Sequence, residues 1–238
     1  DGIEVFFTDG SVTLTNCTAH RNGDDGLDVD ETNGSVTISG IAANNNGDED
    51  GVDIQTAGGN ASLTNCTLNE NGGYGVYVED IDGDVTVSGV TADKNGGGEY
   101  TDGIRVKDVD GDVTVANCTA SNQSGPDDND GVELGPLGGN LLVRNVTVAG
   151  NAEDGFDLWD VGGSATVESV LVTDNSTDGV WFDGFGISPT VNGSIICGND
   201  CGVYLEGVDG VGINGPGIDL EGNWWGCAGG PEAAGGDP

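Results

Sequence analysis

The chain has 238 residues, 46 of them glycine, and its 42 acidic residues outnumber five lysines plus arginines to give a formal net charge of −37. This balance excludes a nucleic-acid partner, because phosphate binding depends on lysine and arginine. The sequence has no apolar run of about eighteen residues or more and no basic-plus-apolar leader, so we expect no membrane insertion from it.

A glycine followed by an apolar-x-apolar triplet recurs along the chain and opens each predicted coil. The first example is Gly2-Ile3-Glu4-Val5, and two further alternating stretches follow it, Val12-Thr13-Leu14 and Cys17-Thr18-Ala19. Three short strands per period predict one turn of a solenoid, whose apolar edges stay exposed until other turns stack on it. The opening glycines are Gly2, Gly26, Gly51, Gly75, Gly103, Gly131, Gly155, Gly179, Gly202 and Gly217.

The fold prediction is an all-β, right-handed, single-stranded parallel β-helix of about ten coils, each of roughly 24 residues and three short strands. Right-handedness follows because nearly all crossovers between parallel strands of one sheet are right-handed. A leucine-rich repeat has a similar period, but its connecting helix does not fit the Asn-Gly-Asp and Thr-rich segments found here. In this prediction residues 1–222 form the solenoid and residues 223–238 form a C-terminal closing segment.

Asparagine or glycine separates the second and third strands of most predicted coils. Both residues tolerate a left-handed backbone, which predicts a sharp corner. The corner residues are Asn16, Gly40, Asn65, Gly89, Asn117, Asn145, Ser169 and Gly193. A second asparagine follows in nearly every coil, and stacked amides predict a hydrogen-bonded structural ladder. Its predicted members are Asn22, Asn46, Asn71, Asn95, Asn122, Asn151, Asn175 and Asn199.

The glycine-opened, three-strand repeat of residues 1 to about 222 resembles the right-handed parallel β-helix repeat family. That family includes pectate-lyase-like enzymes and repetitive surface proteins. The closing segment Asn223-Trp224-Trp225-Gly226 is similar to the end of β-helical surface proteins, and the aspartate-rich, lysine-poor composition resembles proteins of extreme halophiles. These resemblances imply an extracellular or cell-surface location, with a targeting signal outside this sequence, and they imply no particular reaction.

Pectate-lyase-like enzymes place their cleft on the outward face of the first strand of each coil. The middle residue of each triplet, and the residue two positions later, are predicted to lie on that face. An enzymatic interpretation assigns Arg105 or Lys107 as base and Asp53, Glu133 or Asp157 as acid or metal ligand. The alternative is an exposed, non-catalytic face, which is favoured because the connections after the first strand are too short to wall a deep groove.

Aromatic residues on the same face indicate a carbohydrate surface. Trp159, Trp181 and Tyr204 fall on three successive coils, and Asp157 accompanies them. Flat aromatic rings beside carboxylates are suited to binding sugar rings. The alternative is that the rings only pack against one another.

Two near-identical acidic turns lie 28 residues apart and are therefore predicted on adjacent coils. Carboxylates stacked at roughly 4.8 Å recruit cations, and Ca²⁺ accepts about six to eight oxygen ligands. We expect a Ca²⁺ site formed by Asp80, Asp82, Asp84, Asp108, Asp110 and Asp112. A metal-free acidic corner is the alternative. A further column, which could hold ions or accept backbone hydrogen bonds, comprises Asp25, Asp50, Asp102, Asp130, Asp154 and Asp178.

The six cysteines divide into two groups. Cys17, Cys66 and Cys118 occupy inward strand positions two coils apart, which predicts buried free thiols. Cys197 and Cys201 bracket one turn and are expected to form a small-loop disulfide. Cys227 is then expected to be unpaired.

The function predicted from the sequence is a non-catalytic, extracellular or cell-surface domain of a halophile, similar to a stalk or adhesin. Its expected partners are salt cations, including a bound Ca²⁺ ion, and extracellular polysaccharide. Two alternatives stay open. One is a polysaccharide lyase or glycoside hydrolase acting along the first-strand face, and the other is a purely structural solenoid.

Overall fold

The computed structural model describes residues 1–47, 49–98, 100–126, 129–184, 189–206 and 220–225. In this part of the chain every secondary-structure element is a strand, and each strand pairs in parallel with one a full turn away. Ile3, for example, pairs with Leu27, which pairs with Val52. The right-handed, all-β parallel solenoid predicted from the sequence is confirmed.

The strands form three sheets, one along each side of the solenoid. Sheet 1 contains Ile3–Thr8 (β1), Leu27–Thr32 (β3), Val52–Ala57 (β5), Val76–Ile81 (β7), Ile104–Val109 (β10), Val132–Leu134 (β13), Phe156–Trp159 (β16), Asp178–Asp183 (β19) and Cys201–Glu206 (β22). Sheet 2 contains Val12–Thr15 (β2), Val36–Ser39 (β4), Ala61–Thr64 (β6), Val85–Ser88 (β8), Val113–Ala116 (β11), Leu141–Arg144 (β14), Ala165–Glu168 (β17) and Thr190–Asn192 (β20). Sheet 3 contains Thr91–Asp93 (β9), Thr119–Ser121 (β12), Thr147–Ala149 (β15), Leu171–Thr173 (β18) and Ile195–Cys197 (β21).

The number of turns is about eight, which corrects the prediction of about ten coils. Sheet 1 has nine strands in the described residues, and nine stacked strands enclose eight full turns. The tenth predicted coil opens at Gly217, which lies outside the described residues, as does Cys227. Sheet 3 is incomplete in the first turns, where isolated bridges join Thr18, Ala42 and Thr67 in its place.

Alternation along each strand explains the core. Over the first four residues of β3, β7 and β10 apolar residues face inward and polar residues face outward, as expected for a period of two. Stacking puts like residues in register, so Val76 lies between Val52 and Ile104 and all three are fully buried. Each Å² of buried apolar area stabilises the fold by about 25 cal/mol. Most of this stabilisation arises where neighbouring turns stack, and little arises within a single turn.

The amide ladder forms, with one member different from the prediction. Oδ1 of Asn46 accepts hydrogen bonds from the backbone and side-chain nitrogens of Asn22, and the pattern continues along the solenoid. Gln123, not Asn122, occupies the ladder in its turn, because its Oε1 accepts from the backbone nitrogen of Asn95. Gln123 follows its corner, Asn117, by six residues, as Asn22 follows its own corner. Asn122 instead has φ +59° at the preceding bend.

The cysteine predictions are partly confirmed. Cys66 and Cys118 are buried free thiols, whereas the free thiol of Cys17 is only half-buried in the first turn. The predicted disulfide between Cys197 and Cys201 is not formed, and both are free thiols. Cys197 ends β21 in sheet 3 and Cys201 begins β22 in sheet 1, so the corner between the two sheets separates them.

Candidate functional site

Two columns of side chains cover the outward face of sheet 1, as the alternation predicted. The first column, in register from turn to turn, is Glu4, Asp28, Asp53, Tyr77, Arg105, Glu133, Asp157, Trp181 and Tyr204. The second column, two residues further along each strand, includes Phe6, Asp30, Gln55, Glu79, Lys107, Trp159, Asp183 and Glu206. Parallel pairing therefore brings residues that are 23 to 28 positions apart in sequence into contact.

Arg105 lies at the centre of a largely buried charged cluster on this face. Its Nη1 is 2.5 Å from Glu133 Oε2 and 3.4 Å from Asp102 Oδ2. The side chain of Arg105 is 17% exposed, and those of Asp102 and Glu133 are 1% and 6% exposed. Nη1 also donates to the hydroxyl of Tyr74 at 3.3 Å, and the guanidinium lies 5.6 Å from the Tyr74 ring centre.

The surroundings of Arg105 hold it in the charged form. Burial lowers its pKa, but the neighbouring charges of Glu133 and Asp102 more than compensate, so that the pKa is raised overall. A guanidinium with a raised pKa cannot accept a proton at ordinary pH. This environment opposes the role of catalytic base that the enzymatic interpretation gave to Arg105.

Asp130 completes an acidic cluster with Asp102 and Glu133. One carboxylate oxygen from each lies within 4.8 Å of the others, and all three residues are buried. Oδ1 of Asp130 accepts the backbone N–H of Asp154 at 2.7 Å, whereas its buried Oδ2 has no hydrogen-bond partner. Burial raises the pKa of Asp130, and the charge of Asp102 raises it further. A buried carboxylate oxygen without a partner is unstable unless a proton or a cation satisfies it.

The donor set of this cluster fits a hard divalent cation. Asp102, Asp130 and Glu133 supply only oxygen atoms, which Ca²⁺ and Mg²⁺ prefer. The column of aspartates before the opening glycines contained two of these residues, but the sequence did not connect them to Glu133. The segment Asp130-Gly131-Val132-Glu133 indicates this connection. Glu133 follows the column aspartate by three positions and is the first outward-facing residue of the next strand.

The aspartate column itself accepts backbone hydrogen bonds, which was one of its two predicted roles. Oδ1 of Asp25 accepts from the backbone nitrogen of Asp50 at 2.7 Å, and Oδ1 of Asp50 accepts from that of Tyr74 at 2.6 Å. In the same way, Oδ1 of Asp102 accepts from the backbone nitrogen of Asp130, and Oδ1 of Asp130 accepts from that of Asp154. Asp25 and Asp50 also form an acidic group with Glu49 near the start of the solenoid.

Of the remaining residues of the enzymatic interpretation, Lys107 and Asp53 have partners of their own, whereas Asp157 lies beside Glu133. Lys107 Nζ is 2.7 Å from Glu79 Oε1 and 5.5 Å from the Tyr77 ring centre. Asp53 is two turns from Arg105, accepts a hydrogen bond from Gln55 and has a buried Oδ1 without a partner. Burial raises the pKa of Asp53 to about 7 despite this hydrogen bond. Asp157 stacks next to Glu133 in the first column.

The three predicted sugar-binding aromatics do not share one position. Trp181 and Tyr204 are neighbours in the first column, with ring centres 6.0 Å apart and planes at 89°. Trp159 belongs to the second column, where its Nε1 donates to Glu133 Oε1 at 3.2 Å. All three side chains lie on the outward face of sheet 1, but in two columns, because Trp159 lies two residues after the first-column position of its strand. Asp157, in contrast, pairs directly with Trp181.

The two acidic turns predicted to bind Ca²⁺ lie at the corner between sheets 1 and 2. Their six aspartates are exposed: Asp80, Asp82, Asp84, Asp108, Asp110 and Asp112. Oδ1 of Asp84 accepts the backbone N–H of Asp112 at 2.9 Å, and Oδ1 of Asp112 accepts that of Asn140 at 2.7 Å, so two carboxylate oxygens at this corner are engaged in the fold. Within the described residues, none of the six belongs to a group of three acidic side chains with closely spaced oxygens. A metal ion at these turns stays a prediction.

The chain belongs to the right-handed β-helix family, because a family model described as a right handed beta helix region matches residues 1–101 and 98–223. Among solved structures, the crystal structure of pectate lyase Pel9A is similar, with a TM-score of 0.45 and 16% sequence identity. The match covers 93% of this chain and 65% of that chain, so the present sequence spans less than two thirds of its length. No curated protein matches the sequence. The described residues contain no helix long and apolar enough to cross a membrane.

Proposed function

We propose that this chain is a non-catalytic, extracellular or cell-surface β-helical module of a halophile, similar to a stalk or adhesin, that binds Ca²⁺ and carbohydrate. The observation that carries this proposal is the buried cluster of Asp102, Asp130 and Glu133, with the unpartnered Oδ2 of Asp130. Ca²⁺ tolerates irregular oxygen geometry and retains water ligands, so three protein carboxylates are a sufficient core for its binding.

The non-catalytic role is supported by the pairing of the basic residues on the outward face. Arg105 is held by Glu133 and Asp102, and Lys107 is held by Glu79, so neither basic group is free to accept a proton. A lyase or hydrolase acting along this face is the second candidate, because Arg105, Glu133 and Asp157 lie on successive turns of one column. Product formation from neutral and acidic polysaccharides would favour the enzyme over the module.

Carbohydrate is proposed as the second ligand on the basis of Trp181 and Tyr204. Both side chains are half-buried on the outward face, and Asp157 precedes them in the column. Perpendicular rings present one face and one edge, so we expect weak binding of a single sugar ring rather than a long chain. Tryptophan fluorescence titrated with oligosaccharides should respond, and the response should disappear in Trp181→Ala but persist in Phe6→Ala. A full response in Trp181→Ala contradicts this assignment.

The halophilic assignment rests on charge, and the cell-surface assignment rests on the resemblance to repetitive surface β-helical proteins. A formal net charge of −37 on 238 residues produces strong self-repulsion unless cations surround the protein. A cation-rich medium outside the cell supplies them.

Calorimetry with CaCl₂ in molar NaCl tests the cation site. We expect saturable Ca²⁺ binding by the wild-type chain and its loss in Asp130→Asn. The matched control is the double variant Asp82→Asn/Asp110→Asn, which alters the exposed acidic turns and should bind normally. Loss of binding in the double variant, with normal binding in Asp130→Asn, would move the site to those turns. An absence of binding to all three proteins in molar salt would contradict the proposed Ca²⁺ site.

A further inference from the structure

We propose that Arg105 is a built-in competitor of the divalent cation at the cluster of Asp102, Asp130 and Glu133. Its guanidinium neutralises the carboxylates when no metal is bound, and it leaves them when a divalent cation binds. This inference rests on the proposed Ca²⁺ site and adds a specificity role for Arg105: it favours divalent over monovalent cations at that site.

The geometry places the two cations in competition for the same carboxylate oxygens. Nη1 of Arg105 is 2.5 Å from Glu133 Oε2, and it is 3.4 Å from Asp102 Oδ2. Ca²⁺ contacts carboxylate oxygens at about 2.4 Å, so an ion that shares Oε2 with Nη1 would lie within roughly 5 Å of the guanidinium nitrogen. Like charges at that separation in a largely buried site repel strongly. Binding of Ca²⁺ to these oxygens therefore weakens the contacts of Arg105 with them and favours its displacement.

Arg105 can keep an aromatic contact after it leaves the carboxylates, because its guanidinium already lies 5.6 Å from the Tyr74 ring centre. The rings of Tyr74 and Tyr77 stack with centres 5.0 Å apart, and Tyr77 pairs directly with Arg105 across the sheet. Guanidinium groups lie favourably on such aromatic faces. The buried Nε of Arg105 has no hydrogen-bond partner, so its present position already leaves one donor unsatisfied. Movement toward solvent lets water satisfy that donor.

Charge explains why the competitor selects for divalent ions. With all three acids ionised, the cluster carries three negative charges, and Arg105 supplies one positive charge. Replacement of the guanidinium by Na⁺ or K⁺ leaves the local charge unchanged and loses directional hydrogen bonds. Replacement by Ca²⁺ adds one positive charge to a site that remains negative. Only the divalent exchange therefore gains electrostatic energy, which matters for a protein expected to work in concentrated monovalent salt.

The experiment compares the wild type with Arg105→Gln by calorimetry with CaCl₂ at low and molar NaCl. We expect Arg105→Gln to bind Ca²⁺ at least about tenfold more tightly at low NaCl, because no internal cation has to be displaced. We also expect its affinity to fall more steeply with NaCl than that of the wild type. Arg144→Gln, the same substitution at an exposed position on sheet 2, is the matched control and should match the wild type.

Two further measurements keep the outcomes distinct. Arg105→Lys retains the charge but cannot hold two carboxylates with one planar group, so it should bind Ca²⁺ with intermediate affinity. If Arg105→Gln fails to fold, the affinity of Arg105→Lys tests the competitor role instead. Indole fluorescence should change with Ca²⁺, because Trp159 donates to Glu133, and Trp159→Phe should remove that change. Equal Ca²⁺ affinities in the wild type and both Arg105 variants, with binding still lost in Asp130→Asn, overturn the competitor role alone. No Ca²⁺ binding in any variant overturns the proposed site itself.

Discussion

Asn95 joins two turns of the solenoid through both ends of its amide. Its Oδ1 accepts hydrogen bonds from the backbone nitrogen and Nδ2 of Asn71 at 3.1 and 3.0 Å. Its own Nδ2 donates to the carbonyl of Leu68 at 2.9 Å, and the residue is completely buried. At this corner the sheets leave some backbone groups without hydrogen-bond partners. The ladder amides supply those hydrogen bonds in place of water.

Replacement of Asn95 by alanine should destabilise the fold substantially. The change strands the Asn71 amide donors and the Leu68 carbonyl in a buried position, at a cost of roughly 1–3 kcal/mol for each unsatisfied group. We expect the free energy of unfolding in urea to fall by about 2 kcal/mol or more. The control is Asn33→Ala, since Asn33 is exposed and its side chain bonds only Asp9. Similar losses in the two variants would contradict a ladder role.

Gly155, one of the opening glycines, should tolerate no side chain. A Cβ on Gly155 would lie 2.5 Å from the carbonyl oxygen of Gly179 and 2.8 Å from Nδ2 of Asn175, a ladder member. Because backbone and ladder cannot both shift, Gly155→Ala should lower the melting temperature by several degrees or prevent folding. Gly23→Ala, where a Cβ meets nothing within 4 Å, should fold with nearly unchanged stability. Equal melting temperatures would refute the packing argument.

Stability should fall as pH rises through the titration of Asp53. Burial raises the pKa of Asp53 from 3.8 to about 7, so the folded state binds this proton more tightly than the unfolded state. Its contribution is therefore complete below about pH 4 and is lost as pH rises through 7. Melting temperatures from pH 4 to 8 should decline less in Asp53→Asn than in the wild type. Asp82→Asn, at an exposed aspartate, should reproduce the wild-type decline, and parallel curves for Asp53→Asn would rule out this origin.

Thermal stability should increase with NaCl and with KCl. The net charge of −37 opposes compaction, and molar salt shortens the screening length to about 3 Å. Scanning calorimetry from low to molar salt should show a continuous rise in melting temperature with both salts. A melting temperature that is flat over this range is incompatible with a halophilic protein.

Much of the candidate site was predictable from alternation alone. The middle residues of the glycine-opened triplets, such as Tyr77 and Arg105, were expected on one outward column, and the parallel register confirms this. The shift of Trp159 to the second column was also contained in the sequence, since it lies two residues after Asp157. The Gln123 ladder position follows from the constant six-residue spacing between corner and ladder residues, although residue 123 is not an asparagine.

By itself the sequence determined the solenoid, its inward and outward faces and its left-handed corners, because these depend on a period of two and on local backbone preferences. The tertiary structure decided which charges meet. Asp102, Arg105 and Glu133 come from two turns, and their pairing depends on the exact register and on side-chain conformations at adjacent layers. Burial then decided their chemistry, since the same carboxylates left in water would need neither Arg105 nor a cation.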